Sequence, residues 1–516
     1  MRHLPSREFS RRAFGGLLLG GASTAGLNLW MGERAIAGAS KPPRIDGLPR
    51  STPEKQSVDS NSILQFLDDV AAANLELHSF MLYRHGHVVS EGWWWPYRAD
   101  LPHMMHSLTK SVAVCGTALA MQEGHLHFDD KVISFFKDEL PAKVDDKLAA
   151  MTVRDLLTMR TGHAGETSGS VWRQISTSWV AEFFKIPVVY PPGTKFVYTS
   201  AASYMLSAIV TRTTGQRLRD FLEPRFFKPL GIKDLRWDVS PGGVNPGGNG
   251  LTWTTADSLK LGALHAQNGL WQGKRILSAD WVHAASIPQV EEGKYGYQWW
   301  IGPDKAYYAL GLFTQLSIVF PEHDAVLALT SAIDGSKHLL PIVWKHFPRS
   351  FGEPSTPARA DDARLTARTD KLRLLPTLTH TSSPVAQRVS GRKFQIESNE
   401  DGVAAVRFDF TAERCEFTLR DERGEHRVTN GLSDWIEGTT SMTGNKLHHQ
   451  YFDDLRIVAG ARWLDEKTLE MIWQYNESAF RDRVLCRFEG DSMTLDRSVN
   501  VNSADTKRPT LRGKAA

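Results

Sequence analysis

Residues 107–124 read SLTKSVAVCGTALAMQEG and form the stretch on which the interpretation of this chain depends. The pattern predicts a helix over 108–123, closed by Gly124. Positions i and i+3 share one helix face, so the hydroxyl of Ser107 and the amine of Lys110 are expected to project into the same space. The residues expected to pack this helix are Ala113, Val114, Thr117, Ala118 and Met121.

A serine and a lysine at this spacing suit nucleophilic catalysis. A serine hydroxyl is a weak nucleophile until a base removes its proton. An amine acts as that base only when neutral, and burial disfavours the charged form of an amine. The N–H groups at the start of a helix also suit a developing oxyanion. The spacing alone is common, however, because serine caps many ordinary helices and lysine is usually solvated.

A second segment supplies a partner for these groups. Residues 191–200 read PPGTKFVYTS and lead into a helix predicted over 201–212. Tyr198 and Ser200 fall in the loop just before it. A tyrosine held near a lysine can pass a proton from the nucleophile to a leaving group. The alternative is that Tyr198 is simply a packed aromatic residue.

Together these pieces resemble the serine β-lactamase and penicillin-binding-protein-like superfamily, specifically its class C and family-VIII-esterase-like branch. Ser107-x-x-Lys110 is similar to the first family motif, and Tyr198-Thr199-Ser200 is similar to the second. The resemblance extends in the family's order over roughly residues 60–340. Further stretches that carry it are 152–158, 161–162, 191–194 and Gly296-Tyr297-Gln298-Trp299-Trp300.

The resemblance implies an α+β fold, with an antiparallel sheet flanked by helices and carrying an all-helical insertion. Strand patterns agree with it at both ends of the insertion, with a hairpin over 80–89 and strands over 295–301, 316–320 and 326–330. A smaller all-β C-terminal domain, a barrel or a sandwich, is predicted from short alternating runs. These runs are 404–410, 415–420, 455–464, 468–475 and 483–488.

The chain is too long for one hydrophobic core, since 516 residues usually divide into two domains. Changes in composition set the expected boundaries. They are a signal peptide at 1–39, a hydrolase domain at 40–350, a linker or surface wrap at 351–388, a β-rich domain at 389–500 and a disordered tail at 501–516.

The N-terminus is typical of an export signal. Arg11-Arg12 precedes a short, glycine-rich apolar run, as in the twin-arginine signals of bacteria. That run is shorter than the ~20 residues that span a bilayer. Small residues at 35–38 offer a cleavage site. We therefore expect a periplasmic or secreted protein without a stable membrane span after signal removal; the alternative is a disordered or membrane-anchored N-terminus.

The third family motif is where this chain departs from the pattern. The family usually has Lys-Thr-Gly or His-x-Gly, whereas the matching stretch here is Ala309-Leu310-Gly311-Leu312. In the family, the cation and the hydroxyl help to hold a substrate carboxylate. Their loss favours an ester or amide whose acyl part lacks that carboxylate. The resemblance also implies an oxyanion hole made by the backbone N–H groups of Ser107 and Leu312.

The expected function is therefore an exported serine hydrolase that acts on a small-molecule ester or amide. Ser107 would form an acyl-enzyme, with Lys110 and Tyr198 as general base and acid, and neither a cofactor nor a metal is expected. Two alternatives stay open: a D,D-peptidase or β-lactamase, and a non-catalytic binding protein on the same fold. The expected substrate-binding residues are Ser200, Gly311, Phe313, Trp299 and Trp300. Neighbours on a strand face opposite ways, so one of the two tryptophans is expected in the core.

Charge and cysteine content limit the other classes of function. Sixty-one basic residues against 58 acidic ones, without a long basic run, argue against a nucleic-acid partner. Cys115 is expected to be buried, while Cys415 and Cys486 could form a disulfide. The oligomeric state is left open.

The histidines indicate no metal site. His125-x-His127 has metal-like spacing, but no third ligand is indicated. His163 and His448-His449 are expected at the surface.

Overall fold

A six-stranded antiparallel sheet organises the N-terminal half of the described chain. The computed structural model describes residues 46–168, 171–292, 294–352, 359–379, 381–442, 447–448 and 454–516. In spatial order the strands are β2 (His87–Trp93), β1 (Leu77–Arg84), β11 (Ala325–Ser331), β10 (Gln315–Phe320), β9 (Tyr307–Gly311) and β8 (Trp300–Ile301). Short strands within the insertion are β3 (His103–Met104), β4 (Arg236–Trp237), β5 (Leu251–Trp253), β6 (Leu270–Trp271) and β7 (Lys274–Arg275).

Helices cover both faces of this sheet. Those of the N-terminal half are α1 (Ser60–Ala72), α2 (Thr109–Gln122), α3 (Asp146–Ala150), α4 (Val153–Leu157), α5 (Trp179–Lys185), α6 (Ser200–Thr214), α7 (Leu218–Leu222), α8 (Lys228–Leu230), α9 (Thr255–Ala266), α10 (Ala279–Ala285) and α11 (Leu340–His346). Successive residues of a strand point to opposite faces. Phe80 and Leu82 of β1 therefore pack in the core under α1 and α11, while Met81 and Tyr83 pack in the core under the helical insertion.

The helix that carries the first motif lies at the centre of the insertion. Its predicted range, 108–123, agrees with α2, which is preceded by a 3-10 turn at His106–Leu108. Nearly every side chain of α2 is buried, because most of its side chains are small or apolar on every face of the helix. It packs against α6, the helix that follows the second motif. The two motif-bearing helices are thus neighbours.

The strand predicted over 295–301 is the main local error in this half. Only Trp300–Ile301 forms a strand there, because Gln298 has a left-handed backbone with φ +62°. Strand residues have negative φ, so a strand cannot continue through Gln298.

In the described part of the chain, the C-terminal domain is a closed nine-strand β-barrel. Of the two predicted forms, a barrel or a sandwich, the barrel is confirmed. Neighbouring strands are antiparallel, and a parallel contact between Gly431 and Gly460 closes the ring. The strands are β12 (Lys393–Ile396), β13 (Ala405–Phe410), β14 (Arg414–Asp421), β15 (Gly424–Gly431), β17 (Leu455–Trp463), β18 (Thr468–Gln474), β19 (Arg481–Glu489), β20 (Ser492–Val499) and β21 (Leu511–Ala515), with β16 (Ile436–Thr440) beside β17.

One expectation about the chain's organisation differs from the structure, and a second is narrowed to one of its two alternatives. The tail predicted to be disordered over 501–516 contains β21, which pairs with β12 and β20 and closes a gap in the barrel. The predicted linker over 351–388 contains α12 (Arg359–Thr369) and the start of α13 (Pro384–Val389). Leu365, Leu372 and Leu375 are buried, so this segment is a packed surface wrap.

Residues 46–516 form one unit, and the cores of the two domains meet. Met104, Phe313 and Ala332 of the hydrolase domain belong to the same apolar cluster as the barrel interior. No described helix has the length and apolar character needed to cross a membrane. The predicted export signal, including Arg11 and Arg12, lies outside the described residues.

Candidate active site

Ser107 and Lys110 lie at the junction of the 3-10 turn and α2, and their functional groups meet. The Nζ of Lys110 donates to the Oγ of Ser107 at 3.0 Å. Lys110 is 1% exposed, whereas Ser107 remains partly open to solvent. Among the described residues, no carboxylate pairs with the Lys110 amine. The arrangement places a buried amine behind an accessible hydroxyl.

The start of α6 supplies a second oxygen to the same amine. Lys110 Nζ donates to the Oγ of Ser200 at 3.0 Å. The backbone N–H of Ser200 donates in turn to Glu166 at 3.0 Å, which places a carboxylate at the positive end of the helix. Sequence reasoning identified Ser200 but missed Glu166, for which the sequence carries no evident signal.

A glycine-rich loop supplies the third oxygen. The carbonyl oxygen of Gly248 accepts from Lys110 Nζ at 2.9 Å. A Cβ atom at Gly248 would lie 2.8 Å from Ser200 Cβ, so the loop comes this close only because the residue is glycine. Sequence analysis missed this group. The signal was the run PGGVNPGGNG over 241–250, whose glycines allow close backbone approach.

Tyr198 lies beside the amine, but the contact is through its ring. Lys110 Nζ lies 4.8 Å from the Tyr198 ring centroid, within the range of a cation–π contact. The ring packs against Trp300 at 5.3 Å and Tyr295 at 6.1 Å. No hydrogen bond joins its hydroxyl to another described residue. The phenol of Tyr198 is therefore half-buried at the same site, with its hydroxyl available to a ligand.

The turn after β9 lies against the nucleophile segment. A Cβ atom at Gly311 would be 2.1 Å from the carbonyl oxygen of Met105, so only glycine fits between them. The buried amide of Gln315 donates to the carbonyl oxygen of Leu312 at 3.1 Å and so fixes the turn. Leu312 itself is 39% exposed. The expected oxyanion donors, Ser107 and Leu312, thus belong to adjoining segments.

Two of the expected substrate-binding residues are in the core instead. Trp299 is 0% exposed and packs against His265 and Tyr307. Phe313 is 1% exposed and faces the C-terminal domain. The predicted pocket role is wrong for both, because the turns around them direct their rings inward. Trp300 is half-buried beside Tyr198, which agrees with one tryptophan at the site and one in the core.

Gln298 is a residue whose importance the sequence did not reveal, although it lies in a stretch that carried the family resemblance. Its Nε2 donates to the carbonyl oxygens of Leu156 and Leu157 at 3.2 and 3.0 Å. Its Oε1 accepts from Ser203 of α6 at 2.6 Å, and its carbonyl oxygen accepts from Ser111 of α2 at 2.6 Å. Gln298 thus joins the two helices that hold the catalytic groups.

A small cleft of about 10 Å³, roughly the space of one water molecule, lies next to Ser200 and Gly248. Aromatic side chains form much of its wall, with a polar edge that includes Arg173, whose guanidinium is paired with Asp238 at 3.1 Å. The other lining residues are Ser168, Trp172, Trp179, Tyr204, Pro246 and Asn249. The space is too small for a substrate group, so the cleft only identifies the side chains that border the start of α6.

Two histidines expected at the surface are buried. His163 is 0% exposed, bonded to Thr161 at 2.9 Å, and burial lowers its pKa to about 4. His448 is 4% exposed and shares a hydrogen bond of 2.7 Å with Asp482. Both predictions were wrong because each ring finds a polar partner inside a core; His449 lies outside the described residues.

The cysteines and candidate metal ligands do not form further sites. Cys115, Cys415 and Cys486 are each buried and free, so the disulfide considered between the last two is not formed. Within the described ranges, no group of three or more His, Cys, Asp or Glu residues is arranged to hold a metal ion.

The sheet, the helical insertion and the position of the S-x-x-K segment define a protein with the β-lactamase/transpeptidase fold. The sequence profile of the Beta-lactamase family matches residues 71–342. The chain belongs to the Beta-lactamase family, whose members are generally serine hydrolases.

Individual relatives are distant. The chain is 27% identical over 156 residues to the N-acetylmuramyl-L-alanine amidase of Bacillus subtilis, covering 28% of this chain and 35% of that protein. It is 28% identical over 166 residues to the lovastatin esterase of Penicillium rubens, covering 28% and 41%. It therefore spans less than half the length of these curated relatives. Among solved structures, a penicillin-binding protein homologue from Caulobacter crescentus is 18% identical with a TM-score of 0.46, covering 56% of this chain and 97% of that one.

Proposed function

We propose that this protein is a serine hydrolase that cleaves an ester or amide bond through an acyl-enzyme on Ser107. The observation that supports this most strongly is the position of the buried Lys110 amine, 3.0 Å from the Ser107 hydroxyl. In its neutral form the amine has two N–H groups, which keep the bonds to Ser200 and Gly248, and a lone pair, which accepts the hydroxyl proton while Oγ attacks the substrate carbonyl carbon. The resulting oxyanion would be bound by the N–H groups of Ser107 and Leu312, each such donor being typically worth about 10²–10³ in rate.

The second half of the reaction returns the proton. The C–O or C–N bond of the substrate breaks as the leaving group takes a proton from Lys110 or from the Tyr198 hydroxyl. Water then attacks the acyl-enzyme and gives up a proton to the same groups. The bond between the acyl carbon and Ser107 Oγ breaks, Oγ takes that proton, and the acid product leaves. Lys110 and Tyr198 act alternately as base and acid, so no cofactor is required.

The substrate we infer lacks the carboxylate recognised by β-lactamases and D,D-peptidases. The position of the family's third-motif cation holds Ala309, which is fully buried and uncharged. Aromatic side chains, among them Trp172 and Tyr204, lie beside Ser200. The missing cation and these aromatic neighbours favour an ester or amide with an apolar part. The esterase and amidase names among the relatives are consistent with cleavage of an ester or amide bond.

The test uses a fluorophosphonate probe and intact mass. We expect stoichiometric labelling of the wild type, loss of labelling in Ser107→Ala and full labelling in the control Ser134→Ala, which alters an exposed serine. An unlabelled wild type would support the non-catalytic alternative. Substrate class follows from rates on p-nitrophenyl esters, anilides and a chromogenic cephalosporin. A cephalosporin hydrolysed as fast as the short-chain esters would reverse the proposed preference.

We also propose that residues 1–39 direct export by the twin-arginine route, which rests on the sequence pattern alone. When the full chain is expressed in a bacterial host, the protein should be recovered from the periplasmic or extracellular fraction. Replacement of Arg11 and Arg12 by lysine should retain it in the cytoplasm. Equal export of both proteins would contradict the proposal.

A further inference from the structure

The C-terminal barrel reaches the candidate active site through one turn. Residues 475–480 connect β18 to β19 and lie against the segment that leads into the nucleophile. The backbone N–H of Met104 donates to the carbonyl oxygen of Glu477 at 2.9 Å. The hydroxyl of Tyr97 donates to the carbonyl oxygen of Ser478 at 2.7 Å. These bonds attach the barrel turn to the hydrolase domain just before its catalytic serine.

Phe480 is the side chain of this turn that approaches the oxyanion donors. It is 2% exposed, and its ring lies 5.7 Å from that of Phe313 and 6.5 Å from that of His106. The rings of His106 and Phe313 are themselves 5.5 Å apart. His106 directly precedes Ser107 and Phe313 directly follows Leu312. The three rings therefore form a cluster whose members His106 and Phe313 are the chain neighbours of the two proposed donors.

The backbones of His106 and Phe313 need such support. Both lie in the left-handed region, with φ +49° and +58°. For residues other than glycine this conformation costs on the order of 1–3 kcal/mol and persists only where the surroundings hold it. Relaxation of His106 would rotate the His106–Ser107 peptide, whose N–H is the first donor. Relaxation of Phe313 would shift the turn that carries Leu312, the second donor. Packing of the three rings opposes that relaxation.

The barrel interior fixes Phe480 from the other side. The ring of His448 stacks on it at 4.4 Å with an interplanar angle of 10°. His448 is bonded to the buried carboxylate of Asp482 at 2.7 Å, and Arg497 Nε donates to that carboxylate at 2.7 Å. The hydrogen bonds inside the barrel thus fix His448, and the stacked ring of His448 restricts the movement of Phe480.

We propose that Phe480 is a positioning residue for hydrolysis: through it, the C-terminal barrel holds the oxyanion hole of Ser107 and Leu312 in its reactive geometry. This inference rests on the proposed function. It assigns the barrel a part in the chemical step.

The test compares Phe480→Ala with Phe488→Ala in the full chain, using p-nitrophenyl butyrate hydrolysis and thermal unfolding. Phe488 is 0% exposed in the same domain, and its ring contacts are within the barrel, to Phe394, Phe408 and Trp463. Both variants should lower Tm. Phe480→Ala should lower kcat at least about 10-fold with little change in KM, because a displaced catalytic group of this kind can cost about 100-fold. Phe488→Ala should keep kcat within about 2-fold of the wild type, because it is remote from the site.

The kcat of each variant is calculated from the concentration of sites that the fluorophosphonate labels, so that unfolded molecules do not lower it. Phe480→Leu, which refills most of the lost volume, should recover much of the kcat. If either alanine variant fails to fold, Phe480→Val and Phe488→Val make the same comparison, since valine leaves most of the ring volume unfilled. Equal kcat values for the matched pair would overturn the inference while the wild type stays active. A wild type without turnover would instead overturn the proposed function itself.

Discussion

The amine of Lys110 donates to the carbonyl oxygen of Gly248 at 2.9 Å across 138 residues of sequence. The bond holds the amine between a loop and the helix that begins at Ser200. Its geometry depends on a glycine, because any Cβ at this position would collide with Ser200.

Gly248→Ala should therefore impair catalysis without a general loss of structure. The added methyl group would push the loop away from Ser200 and remove one of the three oxygen partners of Lys110. We expect kcat/KM on a p-nitrophenyl ester to fall at least about 10-fold, since small displacements of catalytic groups are costly. Gly242→Ala is the control in the same loop, because its new Cβ would have no neighbour closer than 4.0 Å. Similar activity in the two variants would show that the Gly248 contact is unimportant.

Tyr198→Phe tests the role of the phenol hydroxyl. The ring contact with Lys110 would be kept, while the group proposed to exchange protons with the leaving group would be lost. General acid–base groups typically contribute about 10²–10⁴-fold, and we expect kcat to fall within that range. Tyr190→Phe is the matched control, since its hydroxyl only accepts a bond from Lys195 outside the site. Unchanged kcat in Tyr198→Phe would assign Tyr198 a packing role.

Gln298→Ala should destabilise the fold and the site together. Its amide satisfies two carbonyl oxygens and one hydroxyl in a buried position, so its removal leaves several groups unpaired. We expect the free energy of unfolding in urea to fall by roughly 2–4 kcal/mol. Gln289→Ala, which removes a single half-buried bond, should cost under about 1 kcal/mol. Equal costs would contradict the joining role of Gln298.

Buried histidines predict how stability depends on pH. Burial lowers the pKa of His265 from 6.5 to about 4, and its bond to the Leu261 carbonyl offsets this only in part. The unfolded chain therefore binds a proton between these values that the folded chain does not. Stability is complete above pH 6.5 and falls as the pH drops towards about 4, by up to about 1.4 kcal/mol per pH unit.

His265→Leu should remove that contribution. Measured by urea unfolding from about pH 7 to about pH 4, its stability should fall less steeply than that of the wild type. His103 and His163, whose pKa values burial also lowers, to about 3 and about 4, remain in both proteins and leave a residual slope. Identical slopes would show that His265 does not titrate as its burial implies.

Local pattern was sufficient for much of the architecture. The helix at Ser107, the hairpin at 80–89 and five of the barrel strands were predicted because periodicity and turn residues act within a few positions. The departures occur where distant segments meet. Gln298 interrupts a predicted strand because its side chain forms hydrogen bonds with α4 and α6. The C-terminal tail is ordered because its strand β21 pairs with β12 and β20.

The sequence by itself determined that a hydroxyl and an amine share one helix face, since the i, i+3 relationship is a property of the helix alone. It also indicated, through the family resemblance, that Tyr198 and Ser200 belong beside them. Tertiary structure decided the rest: the Gly248 carbonyl at the amine, Trp299 in the core and Phe480 behind the oxyanion donors. These depend on packing between segments far apart in the chain, which no local pattern encodes.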